Sequence, residues 1–229
     1  MTSQFSERLN ILRAGVLGAN DGIVSVAGVV IGVASATNDT WVIFLSGISA
    51  ILAGAFSMAG GEYVSVSTQK DTEIAATERE RRLYETDPKV AKQSLYDHYL
   101  AKGECSTAAE VMTNRAFAKN PVKFLVEEKY NLEYESFTNP WKAAISSFLA
   151  FSIGALFPML AVMVAPENLR IPLTMFLVVV SLFLTGYSSA KLGNAPTWPA
   201  IRRNIGMGLL TMLATFVIGH VLGAGYIGG

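Results

Sequence analysis

The sequence is poor in reactive side chains. It has one cysteine, Cys105, and two histidines, His98 and His220, in 229 residues. A single cysteine excludes an intrachain disulfide, and these three residues show none of the spacings of a zinc or cluster site. Walker sequences, phosphate-cradling glycine loops and paired nucleophile-base motifs are also missing. ATP-driven pumping by this chain alone and enzymatic catalysis are therefore not expected. Charge is scarce as well. Only 16% of residues are charged, against about a quarter in soluble domains. The formal net charge is zero, and no basic face suggests nucleic acid as a partner. No secretory signal is expected at the N-terminus, because the first apolar stretch is long and carries an acid.

What the chain does have is long uncharged runs. Residues 14–38 contain one charge, Asp21, and residues 40–61, 143–166, 171–190 and 204–229 contain none. A run of 22 residues makes a helix about 33 Å long, enough to cross the hydrocarbon layer. The expected fold is an all-α integral membrane protein with five transmembrane helices and a cytosolic helical insertion between the second and third. The expected domains are 1–66 (N-terminal segment and helices one and two), 67–140 (cytosolic, helical) and 141–229 (helices three to five). Phe5, Leu9 and Leu12 suggest a short interfacial helix before the first span. Gly18 with Gly22, and Gly28 with Gly32, are spaced for close helix approach. Pro158 predicts a kink in the third span.

The charges concentrate in residues 69–139, with 11 Lys/Arg and 13 Asp/Glu. Asp87-Pro88 and Asn120-Pro121 read as helix starts, and Thr107 with Glu110 as a capping box. Glu78 with Arg82 and Glu85 with Lys89 are spaced for i,i+4 pairs. With the N-terminus inside, 17 of the 18 Lys/Arg fall on the cytosolic side and only Arg170 outside. The positive-inside rule then makes the insertion cytosolic and the C-terminus external.

Asp21 is the costly residue. A carboxylate at the centre of a membrane helix costs roughly 2.5–3.5 kcal/mol on insertion scales, so such an acid usually lines a polar path, binds a cation or carries a proton. Asp21 lies eight residues inward from Arg13, and Glu62 eight residues inward from Lys70 on the next helix. Both acids are then expected about 12 Å from the cytosolic charges, at similar depth, with Met58 one turn further in than Glu62. Two carboxylates and a thioether suit a divalent ion of intermediate softness, such as Fe²⁺ or Mn²⁺. Asp21 and Glu62 can also take up protons and so couple the two movements. Alternatives stand beside each: Asp21 as hydrogen-bond partner of Asn20 or a neighbouring helix, Met58 as packing, Glu62 as a boundary residue. A different class of function is a non-transporting membrane protein whose cytosolic helices dock a partner.

The stretches LRAGVLGANDGIVSVAGVVIGVASA and GAFSMAGGEYVSVSTQKDTEIAATERERR resemble the vacuolar iron transporter family, in its bacterial branch. The layout of the whole chain is similar too. The resemblance implies a homodimeric, proton-coupled exporter of Fe²⁺, often also Mn²⁺. The metal is cargo, and no permanent cofactor is implied. Its partners are divalent metal ions, protons, the lipid bilayer and a second copy, in the inner membrane of the cell if bacterial. The first two helices of each subunit would line the path at the dimer interface, where the glycine spacing fits. Asp21 falls on the family's membrane aspartate, Met58 on its pore methionine, and Glu62 in the matching second-helix motif. In the insertion the resemblance implies metal-gathering glutamates, matched here by Glu80, Glu127 and Glu128. Leu83 stands where a second glutamate is usual, and KVAKQSLYDHY lacks the usual acidic run.

Overall fold

The computed structural model describes residues 2–134 and 139–227, with side chains for 11–134 and 139–223. All described regular structure is helical. The elements are α1 (Thr2–Ala36), α2 (Thr40–Thr86), α3 (Pro88–Ala101), α4 (Ser106–Lys119), α5 (Pro121–Tyr130), α6 (Pro140–Val164), a 3₁₀ turn (Glu167–Leu169), α7 (Arg170–Leu192) and α8 (Thr197–Ile227). Five of these helices, α1, α2, α6, α7 and α8, are long and apolar enough to cross a membrane.

The chain divides into two compact units. One, here the inserted unit, holds Ser65–Asn139 together with Met1–Glu7; the other, the helix bundle, holds Arg8–Val64 and Pro140–Gly229.

The bundle is built around α1. One side of α1 (Val26, Val30, Ala34) packs with Ile43, Ile51 and Ala55 of α2 and Phe151, Ala155, Met159 and Val162 of α6. Its other side (Ile23, Ala27, Ile31) packs with Val178 and Leu182 of α7 and Met212 of α8. Lipid tails are as apolar as these side chains, so the association rests on close packing rather than water exclusion. The glycines provide it within the chain. A Cβ at Gly22 would run into the Phe151 carbonyl oxygen of α6, and one at Gly18 would stand 2.7 Å from the Ser147 oxygen. Gly32 faces Thr215 of α8 in the same way.

Arg170, the one basic residue expected outside, is buried at the start of α7. Its guanidinium donates to the Asn38 carbonyl at 3.4 Å and to Thr40 Oγ1 at 3.1 Å, so it ties down the α1–α2 turn. Asp39 caps α2 by accepting from the Trp41 amide at 2.8 Å.

In the inserted unit, Asp87 caps α3 with bonds from Lys89 and Val90, and Asn120 caps α5 with one from Lys123. Ala91, Leu95, Tyr99, Ala109, Ala116 and Leu125 form its core.

Three expectations are corrected. The first helix begins at Thr2 and has no separate interfacial piece; the side chains of Phe5 and Leu9 lie outside the described ones. Thr107 is not a cap, because α4 starts at Ser106 after Cys105, whose side chain makes no capping bond. Glu85 and Lys89 sit on different helices, since the Asp87 cap separates α2 from α3. The Glu78–Arg82 pair does form, at 2.8 Å.

Candidate metal path

The register between α1 and α2 positions every candidate residue of the bundle. A Cβ on Gly47 would touch Val30, and Phe151 of α6 contacts both Gly22 and Gly54. Arg13 reaches Glu62, Nη2 to Oε2 3.6 Å. A step of eight or nine residues down α1 thus matches a step of seven or eight along α2, as in antiparallel neighbours. On this register Glu62 stands level with Arg13, Met58 near Gly18, and Asp21 near Gly54 and Ala55.

The expected equal depth of the two acids is therefore corrected. Asp21 lies about 12 Å beyond the Arg13–Glu62 pair along α1. Lys70 was a poor ruler, because α2 continues as one helix to Thr86, well past its apolar part. The arrangement is a stair: Glu62 first, Met58 about 6 Å further along α2, then Asp21.

Glu62 is buried, with 8% of its surface exposed, and its Oε2 has no hydrogen-bond partner. The Arg13 contact at 3.6 Å is an ion pair but too long for a hydrogen bond. The Arg13 side chain is itself 63% exposed, so the pair is open on one side. A buried carboxylate held this loosely retains a lone pair for another cation. Met58 is half-buried and packs at the edge of the cluster shared by α1, α2 and α6. That contact also serves packing, and its thioether is a soft, weak acceptor in either role.

Asp21 is half-buried. Its backbone oxygen accepts from Ser25 Oγ at 2.6 Å. Among the described residues none hydrogen-bonds or ion-pairs with its carboxylate, and the neighbouring Asn20 Oδ1 is itself buried without a partner. The reading of Asp21 as a bonded structural group thus finds no partner here. Arg13, Leu17 and Asp21 recur every four residues, so they share one face of α1. Leu17 and Arg13 are exposed, so the bundle covers this stripe only in part, at the half-buried Asp21. Gly60 and Gly61 of α2 likewise meet nothing within 4 Å.

The three glutamates of the inserted unit that the resemblance singled out are each engaged by a lysine. Glu80 pairs with Lys129 at 2.8 Å, Glu128 with Lys102 at 3.0 Å, and Glu127 with Lys123 at 3.8 Å. Among the described residues no three or more His, Cys, Asp or Glu side chains gather as a metal site. Cys105 is exposed and free, and His220 is stacked on Phe216. Arg13 and Lys129 are the residues that pattern reading passed over. Arg13 entered it only as a membrane-boundary charge, and no spacing signal links Lys129 to Glu80, 49 positions away.

The model of the VIT family matches residues 12–220. Vacuolar iron transporter homolog 2 of Arabidopsis thaliana is 33% identical over 223 residues, covering 97% of this chain and 89% of that protein. VIT-like transporter 1b of Glycine max is 29% identical over 96% of this chain and 80% of its own length. The vacuolar iron transporter of Acanthamoeba castellanii is 37% identical over 149 residues, 65% of this chain and 54% of that protein. The match runs from the stretch that carries Asp21 through Met58 and Glu62 into the last helix, and the chain belongs to the VIT family.

Proposed function

We propose that this chain carries iron across a membrane, as a proton-coupled exporter of Fe²⁺ and Mn²⁺ from the cytosol. The observation that carries the reading is the Asp21 carboxylate inside a membrane helix, without a bonded partner among the described residues, with Met58 and Glu62 stepping toward it. An uncompensated acid in this setting is retained at a cost of a few kcal/mol. The relatives named as iron transporters support iron as cargo. Carboxylate, thioether and carboxylate in sequence suit Fe²⁺ or Mn²⁺ better than Ca²⁺ or Mg²⁺, which favour all-oxygen shells.

In the proposed cycle the ion meets Glu62 first, passes Met58 and reaches Asp21. Protons entering from the far side load the two acids as the ion leaves. The excess of Lys/Arg on one side supports an N-terminus and inserted unit in the cytosol and a C-terminus outside, in the inner membrane of the cell if it is bacterial. The partly covered stripe of Arg13, Leu17 and Asp21, open to solvent or lipid at Arg13 and Leu17, supports a homodimer in which α1 and α2 of two copies enclose the path.

The test is flux of Fe²⁺ and Mn²⁺ into proteoliposomes with and without an imposed pH gradient. Metal entry that quickens with the gradient and is lost in Asp21→Ala is expected. Equal flux in wild type and Asp21→Ala removes Asp21 from the path. Absent flux in both favours the interaction protein.

A further inference from the structure

Glu80 lies on the part of α2 that belongs to the inserted unit, and its side chain is 2% exposed. A carboxylate so far from water needs a cation or several donors. Its own chain supplies both. Lys129 Nζ donates to Oε1 at 2.8 Å and Oε2 at 2.9 Å, and the Tyr130 hydroxyl donates to Oε1 at 2.8 Å. The same ammonium lies 3.5 Å from Ser94 Oγ on α3. An ammonium has three protons and no acceptor, so two carboxylate oxygens and one hydroxyl satisfy it.

The backbone explains why two adjacent side chains reach one carboxylate. Lys129 and Tyr130 end α5, and the chain then turns left-handed at Asn131, φ 54°. Asparagine tolerates that conformation better than most residues. The helix therefore stops with both side chains at Glu80. Burial pushes the Tyr130 hydroxyl above its ordinary pKa, with the Glu80 bond adding to it, so the phenol stays a donor. Glu127 and Glu128 are already paired with Lys123 and Lys102.

We propose that Lys129 is the cation Glu80 is built to hold, and that it is a specificity-determining residue. Its ammonium keeps divalent ions off Glu80 and lets the inserted unit fold without metal. A divalent ion would have to displace a tethered ammonium that is bonded at both carboxylate oxygens. It would find no second free carboxylate among the three glutamates. The inserted unit then acts as a metal-independent helical module fastened by an α2–α5 clamp. The proposal stands independently of the transport reading, because its tests read stability and binding rather than flux.

The experiment compares the full-length protein in detergent with Glu80→Gln, Lys129→Met and the double variant. Mn²⁺ binding is followed by calorimetry and unfolding by heat, with and without EDTA. Wild type and Glu80→Gln are expected to bind Mn²⁺ with the same stoichiometry and affinity, and EDTA is expected to leave the wild-type midpoint unchanged. Lys129→Met, which strands a buried charge, lowers the midpoint of the inserted unit by more than about 10 °C. The double variant, with no charge to strand, recovers at least half of that loss. If Lys129→Met does not fold, recovery in the double variant still reads the clamp. The proposal is overturned if Glu80→Gln loses one Mn²⁺ per chain or binds it about tenfold more weakly, if EDTA destabilises the wild type, or if the double variant recovers nothing.

Discussion

Arg13 on α1 and Glu62 on α2 face each other at 3.6 Å across the entry to the proposed path, one side chain mostly exposed and the other almost wholly buried. The guanidinium neutralises the first acid of the stair without hydrogen-bonding the oxygen it faces. On the proposed path it is the tethered counter-ion that an incoming divalent ion would replace.

Removing that competitor tightens binding. Arg13→Gln is expected to bind Mn²⁺ about tenfold more strongly, a change of about 1.4 kcal/mol, while Glu62→Gln binds it more weakly. Isothermal titration of the detergent-solubilised protein reads both. Unchanged or weaker binding in Arg13→Gln means that Glu62 is not an entry ligand.

Asp21→Asn separates function from folding. Among the described residues the carboxylate has no bonded partner, so the amide costs none of their contacts and eases the burden of an acid in lipid, worth roughly 2.5–3.5 kcal/mol on insertion scales. The thermal midpoint is expected to hold or rise while metal flux disappears. A clear fall in the midpoint would show that Asp21 holds the bundle together.

Glycines of the same type have opposite roles. Gly22→Ala drives a methyl group into the Phe151 carbonyl, where backbone meets backbone and neither yields easily. A loss of about 1–3 kcal/mol is expected, as for an overpacked core. Gly60→Ala meets nothing among the described residues and is expected to cost no stability, or to add up to about 1 kcal/mol by helix propensity. Thermal unfolding compares the two, and cross-linking of Gly60→Leu reads whether a second copy covers that face.

The inserted unit is expected to lose stability on the alkaline side. The Tyr130 and Tyr99 hydroxyls are both raised above 10.0, chiefly by burial, with Glu80 and Glu128 respectively adding to it. A raised folded pKa means the folded state holds the proton more tightly. The associated stability is therefore complete below the unfolded value and is lost as pH rises through the folded one. Unfolding of the wild type followed by tryptophan-independent circular dichroism is expected to ease above about pH 10. In Tyr130→Phe that dependence is expected to be shallower. An identical pH profile in both removes Tyr130 from the clamp.

Much of this protein is written locally. Five long runs, four uncharged and one interrupted only by Asp21, determine five membrane helices, because the cost of burying charge in lipid applies to every residue wherever its neighbours lie. Asp87-Pro88 and Asn120-Pro121 determine two helix starts, because a cap bonds within three residues of itself. Asp21 stands out for the same reason. What the tertiary structure decided is partnership. Gly22 serves α6, Asp21 lies deeper than Glu62, Arg13 pairs with Glu62, and Lys129 pairs with Glu80. Each depends on the register between helices far apart in the chain, and a slip of one turn, about 5.4 Å, would change every pair while leaving the pattern of each helix intact.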